Sequence, residues 1–362
     1  MNMVEFRKIQ IVDIPNDIKN KKLIFVEFFT AEKDSIFFNF HINPFVFYKI
    51  NKNFFQKNII SFKNMEQFYL KEGEKITKDK EKRFSKLLTE KKIVIYPKWK
   101  FHYESFRKRW YLWFSNEIFV FDENGNIIFS FLIDIDPLTC EITNFMIDKN
   151  FKCWISVSDI KTPHLEKIFI LNEEYKLERM LNIECISLYC KKINNFSYFY
   201  LTFRKLIGIP GKKEEVYFVQ FNPLIIYKIR KYKEISFLNI SKKDKPIKIL
   251  PFLSSEQKVG ETLYIKGINI IECGNFWEKK NLICLFRSYS LISKSHLIFV
   301  HPSFKYSIFK ELQKQQEKKI GTRVKCSIDK NGYLYSFDSF HFTITLFKME
   351  SCLKYTRMVY EK

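Results

Sequence analysis

Alanine is all but missing from this chain: Ala31 is the only one in 362 residues, and there are just nine glycines and ten prolines. Lys, Asn, Ile and Phe abound instead, which is the composition of a strongly AT-biased coding sequence. Arginine is scarce as well, supplying 10 of the 62 basic residues. A formal charge of +22 ordinarily points to a polyanionic partner. Sites that grip phosphates or bases favour the planar guanidinium fork, however, so a lysine excess spread over the whole chain reads as compositional bias before it reads as a binding face.

The remaining absences exclude whole classes of chemistry. The eight cysteines (Cys140, Cys153, Cys185, Cys190, Cys273, Cys284, Cys326, Cys352) contain no C-x-x-C pair. Most sit in apolar strand-like runs, as buried free thiols do in a reducing compartment, so neither a zinc site nor a disulfide framework is expected. The six histidines (His41, His102, His164, His296, His301, His341) lack the spacings of a metal site. No G-x-S-x-G elbow, G-x-G-x-x-G or P-loop occurs, and the expectation is no cofactor and no enzyme. The start, MNMVEFRKIQIVDI, lacks the apolar core of a signal peptide, and no run approaches the ~18 apolar residues of a membrane helix. The chain is therefore expected in the cytoplasm, as a monomer outside any complex.

What is present is a bulky apolar repertoire, 40 Phe and 19 Tyr within a hydrophobic share of 46%, which rules out disorder and suits strands. It is also repetitive. NPFVFYKI (43–50) returns as NPLIIYKI (222–229) with five of eight positions identical. Further hairpin-like segments align on the same anchor, giving a series at Asn43, Asp122, Asn172, Asn222, His301 and Lys348. Each is an apolar strand, a short turn rich in Asn, Asp, Gly or Pro, and a second apolar strand. A second phrase precedes some copies: IDKNFKCWISVSD (147–159) and IDKNGYLYSFDS (328–339), with RKRWYLWFSN (107–116) in the same role for the second copy.

A full unit is thus four strands on a period of ~40 to 50 residues, as a β-propeller blade requires. A small twisted sheet cannot bury both faces alone, whereas blades packed face to face can. That explains strands that are apolar at nearly every position. The expected fold is all-β, a six-bladed β-propeller of four-stranded antiparallel blades forming a single domain over 1–362. These phrases resemble the NHL and TolB-like six-bladed propellers, although the turn glycine is clear only at Gly125 and Gly332.

Two anchor intervals measure 79 residues instead of 50, which places long inserted loops near 51–95 and 232–262. Within them, 71–88 has helical apolar spacing at Phe84, Leu87 and Leu88, and 241–258 is irregular; a polar run at 310–319 joins the last two units. Insertions in repeat folds often form the binding face, and long connections are also tolerated with no role. Asp134 and Asp136 in IDIDP fall on one face of a strand end, where they could hold Ca²⁺ or serve as acid and base, or simply be solvated. In KWKFHYESFRKRWYLW (98–113), the charges Arg107, Lys108 and Arg109 stand among large rings. Such a run can stack bases or fill the space between blades. Two functional readings follow: a non-enzymatic scaffold binding a protein or peptide through its loop face, or a binder of nucleic acid or another polyanion.

Overall fold

A computed structural model of the chain describes residues 6–10, 26–32, 34–40, 43–51, 57–62, 65, 99–137, 139–159, 162, 165–184, 192–193, 196–197, 206–212, 214–221, 224–240, 270–289, 294–309, 324–338 and 342–353. In chain order the first strand is β1 (Phe6–Gln10), which belongs to the last sheet. Sheet I is β2 (Val26–Ala31), β3 (Ser35–Phe40), β4 (Asn43–Asn51) and β5 (Lys57–Ser61). Sheet II is β6 (Lys100–Glu104), β7 (Arg109–Phe114), β8 (Glu117–Phe121) and β9 (Ile127–Leu132). Sheet III is β10 (Cys140–Ile147), β11 (Cys153–Asp159), β12 (Leu165–Leu171) and β13 (Leu177–Glu184).

A small hairpin, β14 (Lys192–Ile193) with β15 (Phe196–Ser197), comes next. Sheet IV is β16 (Leu206–Pro210), β17 (Glu215–Phe221), β18 (Leu224–Arg230) and β19 (Glu234–Asn239). Sheet V is β20 (Ile270–Trp277), β21 (Leu282–Tyr289), β22 (Lys294–Val300) and β23 (Tyr306–Phe309). Sheet VI is β24 (Val324–Ile328), β25 (Tyr333–Asp338), β26 (Thr343–Lys348) and, beside β26, β1; a short helix, α1 (Glu350–Leu353), follows β26. All the pairings are antiparallel, and the six four-stranded sheets make this a six-bladed β-propeller, as the repeat predicts.

The chain divides into two compact units, one of Phe25–Asn239 with sheets I to IV, the other of Met1–Ile24 and Ile240–Lys362 with sheets V and VI. In the first unit the middle strands are buried on both faces: β11 and β17 show no exposed position, whereas the outer strands β9, β13 and β19 are exposed at most of theirs. Aromatic side chains fill the space between successive sheets. Phe37 and Phe47 of sheet I meet Trp110 of sheet II with ring centroids 5.1 and 4.7 Å apart, and Tyr111 stacks on Phe145 of sheet III at 4.7 Å. Sheets III and IV share a core of Met146, Trp154 and Ile168 with Phe218, Ile225 and Ile229. Each such Phe or aliphatic side chain contributes about 1.5–3 kcal/mol by leaving water. In the second unit, Trp277, Leu282 and Phe299 of sheet V close on Ile328, Leu334 and Phe347 of sheet VI.

One expectation needs correction. Asp122, Asn172, His301 and Lys348 stand at the end of the third strand of their sheets, but Asn43 opens the third strand of sheet I, and position 222 falls between the ranges of the second and third strands of sheet IV. In an antiparallel sheet those two turns lie at opposite ends. The first and fourth copies are therefore equivalent to each other and shifted by one strand from the rest. The 50-residue step from Asn172 to Asn222 is a coincidence of spacing, and each 79-residue interval contains one strand more than supposed. The long connections run between β5 and β6 and between β19 and β20; the expected ranges 51–95 and 232–262 overlap them but also take in β5 and β19. Segments 71–88, 241–258 and 310–319 lie outside the described residues.

Candidate functional site

Five hairpin turns share one backbone. They begin at Asp148 and Asp329 after first strands, and at Asp122, Asn172 and His301 after third strands, so all lie at the same end of their sheets. In each, the leading residue donates its N–H to the carbonyl four residues on and accepts the N–H three residues on, at 2.7–3.3 Å. Its side chain accepts the N–H two residues on, as in Asp122 to Asn124 at 2.9 Å, Asp148 to Asn150 at 2.8 Å, Asn172 to Glu174 at 3.0 Å, His301 to Ser303 at 3.2 Å and Asp329 to Asn331 at 2.9 Å. The fourth position has positive φ: Gly125 (88°) and Gly332 (85°), but Phe151 (57°), Tyr175 (63°) and Phe304 (63°) elsewhere. A bulky residue there costs about 1–2 kcal/mol relative to glycine.

What Phe151 and Tyr175 touch accounts for their presence. The Tyr175 ring sits 4.9 and 4.8 Å from those of Phe129 and Phe131 in sheet II. Its hydroxyl is 3.2 Å from that of Tyr111 and accepts Nη1–H of Arg109 at 3.3 Å. Phe151 meets the ring of Phe106 at 5.1 Å and lies under the Arg107 guanidinium at 5.0 Å. Tyr232, with φ of 60° in the β18–β19 turn, repeats the device from sheet IV. It packs on Trp154 at 5.7 Å, accepts Nδ2–H of Asn150 at 2.6 Å and carries Lys152 Nζ 4.1 Å over its ring. In sheets III and IV the third-to-fourth turn thus holds on to the sheet before it, Tyr175 on strands β7 and β9 of sheet II and Tyr232 on the first-to-second turn of sheet III.

The three charges singled out from sequence lie within this rim. The β6–β7 turn is tied down by the Glu104 carboxylate, which accepts the N–H groups of Phe106 (2.5 Å) and Arg107 (3.0 Å) and Arg107 Nε–H (3.2 Å). Arg107 Nη2–H also donates to Tyr111 Oη at 3.1 Å, and burial, with Tyr175 beside it, pushes the Tyr111 phenol far above its ordinary range. Lys108 is exposed and pairs with Glu123 at 3.4 Å. Phe106 projects between these charges with 78% of its surface in solvent. The sequence reading overlooked Phe106 and the tyrosines that brace it. A signal was available in the aromatic residues that replace the turn glycine.

The other candidate chemistry is dispersed. Asp134 and Asp136 are both exposed on the β9–β10 link, where Asp136 Oδ2 accepts Thr139 Oγ1–H at 3.1 Å. His102, His296 and His301 stand on sheets II and V, and His41, His164 and His341 lie outside the described residues. Among the described residues no three His, Cys, Asp or Glu side chains are grouped to hold a metal ion. Six cysteines are described and all are free thiols; burial pushes Cys153 and Cys352 up to about 12, keeping them protonated and unreactive. No described helix is long and apolar enough to cross a membrane.

No protein-family model matches the sequence, and no curated protein matches it. Solved structures do. Virginiamycin B lyase from Staphylococcus aureus is 8% identical over 96% of this chain and 99% of that one, with a TM-score of 0.45. The WD40 domain of Neurospora crassa Pan2 is 7% identical over 90% and 89%, TM-score 0.39. The β-propeller domain of the Trilobed protease from Pyrococcus furiosus is 8% identical over 94% and 96%, TM-score 0.36. At these identities the likeness concerns the fold and carries nothing about activity.

Proposed function

We propose that this chain is a non-enzymatic, cytoplasmic propeller scaffold of the NHL and TolB-like kind, acting as one domain over 1–362, which binds a protein or peptide partner at the turn end of its sheets. The observation that carries this is Phe106: a large ring, 78% exposed, on a turn fixed by three hydrogen bonds to Glu104 and backed by Phe151. An exposed aromatic residue held in one place binds with little further loss of side-chain entropy, and such residues dominate interface energies. Arg107, Lys108 and Arg109 flank it, so the partner is expected to bring an apolar pocket rimmed with acid.

The test compares the wild type with Phe106→Ser and with deletions of 71–88 and 241–258 in capture from lysate, with circular dichroism to verify the fold. Loss of the same captured protein with Phe106→Ser is the expected result. Unchanged capture by all three variants removes the reading. A second reading, a polyanion binder, is favoured by the exposed Lys108, Lys149, Lys231 and Lys233 at the same end of sheets II to IV. Its signature is affinity for a single-stranded oligonucleotide that falls steeply with log salt, and a flat response excludes it.

A further inference from the structure

Outer strands are edges, and edges with free backbone groups invite pairing unless charge or proline guards them. Of the outer strands here, β1 carries Arg7 and Lys8, β5 carries Lys57, β13 carries Glu178, Arg179 and Glu184, and β19 carries Glu234. Strand β23, YSIF, is uncharged but buries Tyr306 and Ser307. The strand β9, IIFSFL, is alone among them in being both uncharged and exposed, with Ile127 at 46%, Ile128 at 47% and Leu132 at 68%. It pairs only with β8 among the described residues. The N–H of Ile133 donates to Asn116 O at 2.9 Å, so the two-residue period turns the N–H and C=O of Ser130 and Leu132 to the open side.

The charge around this edge is opposite to that of the molecule. Residues 110–148 hold seven acidic side chains and no lysine or arginine, in a chain whose net charge is +22. Asp122 and Glu123 stand just before β9, and Asp134 and Asp136 just after it. Two ion pairs reach this stretch from outside it, Lys108 with Glu123 at 3.4 Å and Lys100 with Glu141 at 2.7 Å. We infer that β9 is a docking edge that takes one added strand: an extended segment of a partner polypeptide, apolar along its length and carrying Lys or Arg at both ends. A second copy of this chain does not fit, because β9 paired antiparallel with its own image sets acid against acid at both ends. The edge strand shares no residue with the Phe106 turn, although Glu123 pairs with Lys108 where the two adjoin, and Phe106→Ser tells the two proposals apart.

The probe is a fluorescein-labelled eight-residue peptide of alternating valine and threonine with a lysine at each end, titrated with the full chain and followed by anisotropy. The expected result is saturable binding, at least tenfold weaker when glutamates replace the terminal lysines. Ser130→Pro removes the outward N–H without touching the β8 ladder and weakens binding at least tenfold, as does Ile128→Lys. Ser130→Ala, which keeps that N–H, and Phe106→Ser both bind as the wild type does. The inference is overturned if the wild type does not bind, if the glutamate-ended peptide binds as tightly, or if Ser130→Pro and Ile128→Lys, with unchanged circular dichroism, bind normally. It is overturned too if the wild type sediments as a dimer that Ser130→Pro dissociates, which assigns the edge to a second copy.

Discussion

The turns that begin at Asp122 and at Asp148 have the same main-chain hydrogen bonds and different causes. At the first, Gly125 takes the positive φ freely, and a Cβ there would stand 2.8 Å from Ser61 O, so the neighbouring sheet demands glycine. At the second, Phe151 takes the same conformation against its intrinsic preference, because its ring is wanted by Phe106 and Arg107. The carboxylates differ in the same sense. Asp122 is only partly exposed, while Asp148 is buried with its Oδ2 accepting the Trp154 indole N–H at 2.9 Å. One turn keeps glycine for its positive φ and for room beside sheet I, the other keeps a strained phenylalanine for its ring contacts.

The sharpest way to break that comparison is to exchange the residues. Gly125→Phe is expected to cost about 3 kcal/mol, from strain at positive φ and from the collision with Ser61, measured by urea denaturation. Asp148→Ala comes next at about 2–3 kcal/mol, since it removes the turn's acceptor and leaves a buried indole N–H unpaired; a midpoint equal to that of wild type refutes the assignment. Phe151→Gly is expected within about 1 kcal/mol of wild type, relief of strain offsetting lost ring contacts. Its second effect should be a faster hydrogen exchange at Phe106 and Arg107.

The smallest effect is one of slope with pH. For Asp122, slight desolvation acts upward, but the Asn126 side chain and the N–H groups of residues 124 to 126 hold the carboxyl below its ordinary 3.8. Its contribution is therefore present above pH 3.8 and lost as pH falls through the depressed value. Burial raises Asp148 against the pull of Trp154, Lys152 and Asn150. Its contribution is present below pH 3.8 and lost as pH rises through the raised value. Unfolding titrations of Asp122→Asn and Asp148→Asn should accordingly show the wild-type advantage growing with pH for the first and shrinking for the second. Slopes of the same sign would show that the two carboxylates do not differ as described.

The strands and the four-strand unit were legible in the sequence because burial on both faces leaves few choices but large apolar residues. That same uniformity caused the one-strand shift at Asn43 and Asn222. Second and third strands such as β17 and β12 both run apolar into an Asn, and nothing local tells which comes first in the sheet. The two IDKN phrases were placed correctly: Asp148 and Asp329 lead the turns between the first and second strands of sheets III and VI, where each side chain accepts the N–H two residues on. Of the rim, Arg107 to Arg109 could be picked out by charge. Tyr175 could be noticed only as a ring at a turn's glycine position, and its partner, like that of Tyr232, could not be read because it lies on another sheet, at sequence distances of 66 and 82 residues.

The pairing of β1 with β26 sets Gln10 opposite Thr343 and Phe6 opposite Phe347. Among the six sheets this is the contact of greatest sequence separation, so loop-closure entropy makes it a late event in folding. A ribosome must have delivered Lys348 before the final sheet can be completed, and until then Phe6–Gln10 is a loose strand in search of an edge. A circular permutant that links the end of the chain to its beginning, and so keeps Met349 and Cys352 in the core, shortens the loop that this closure must make and should refold faster at nearly unchanged stability.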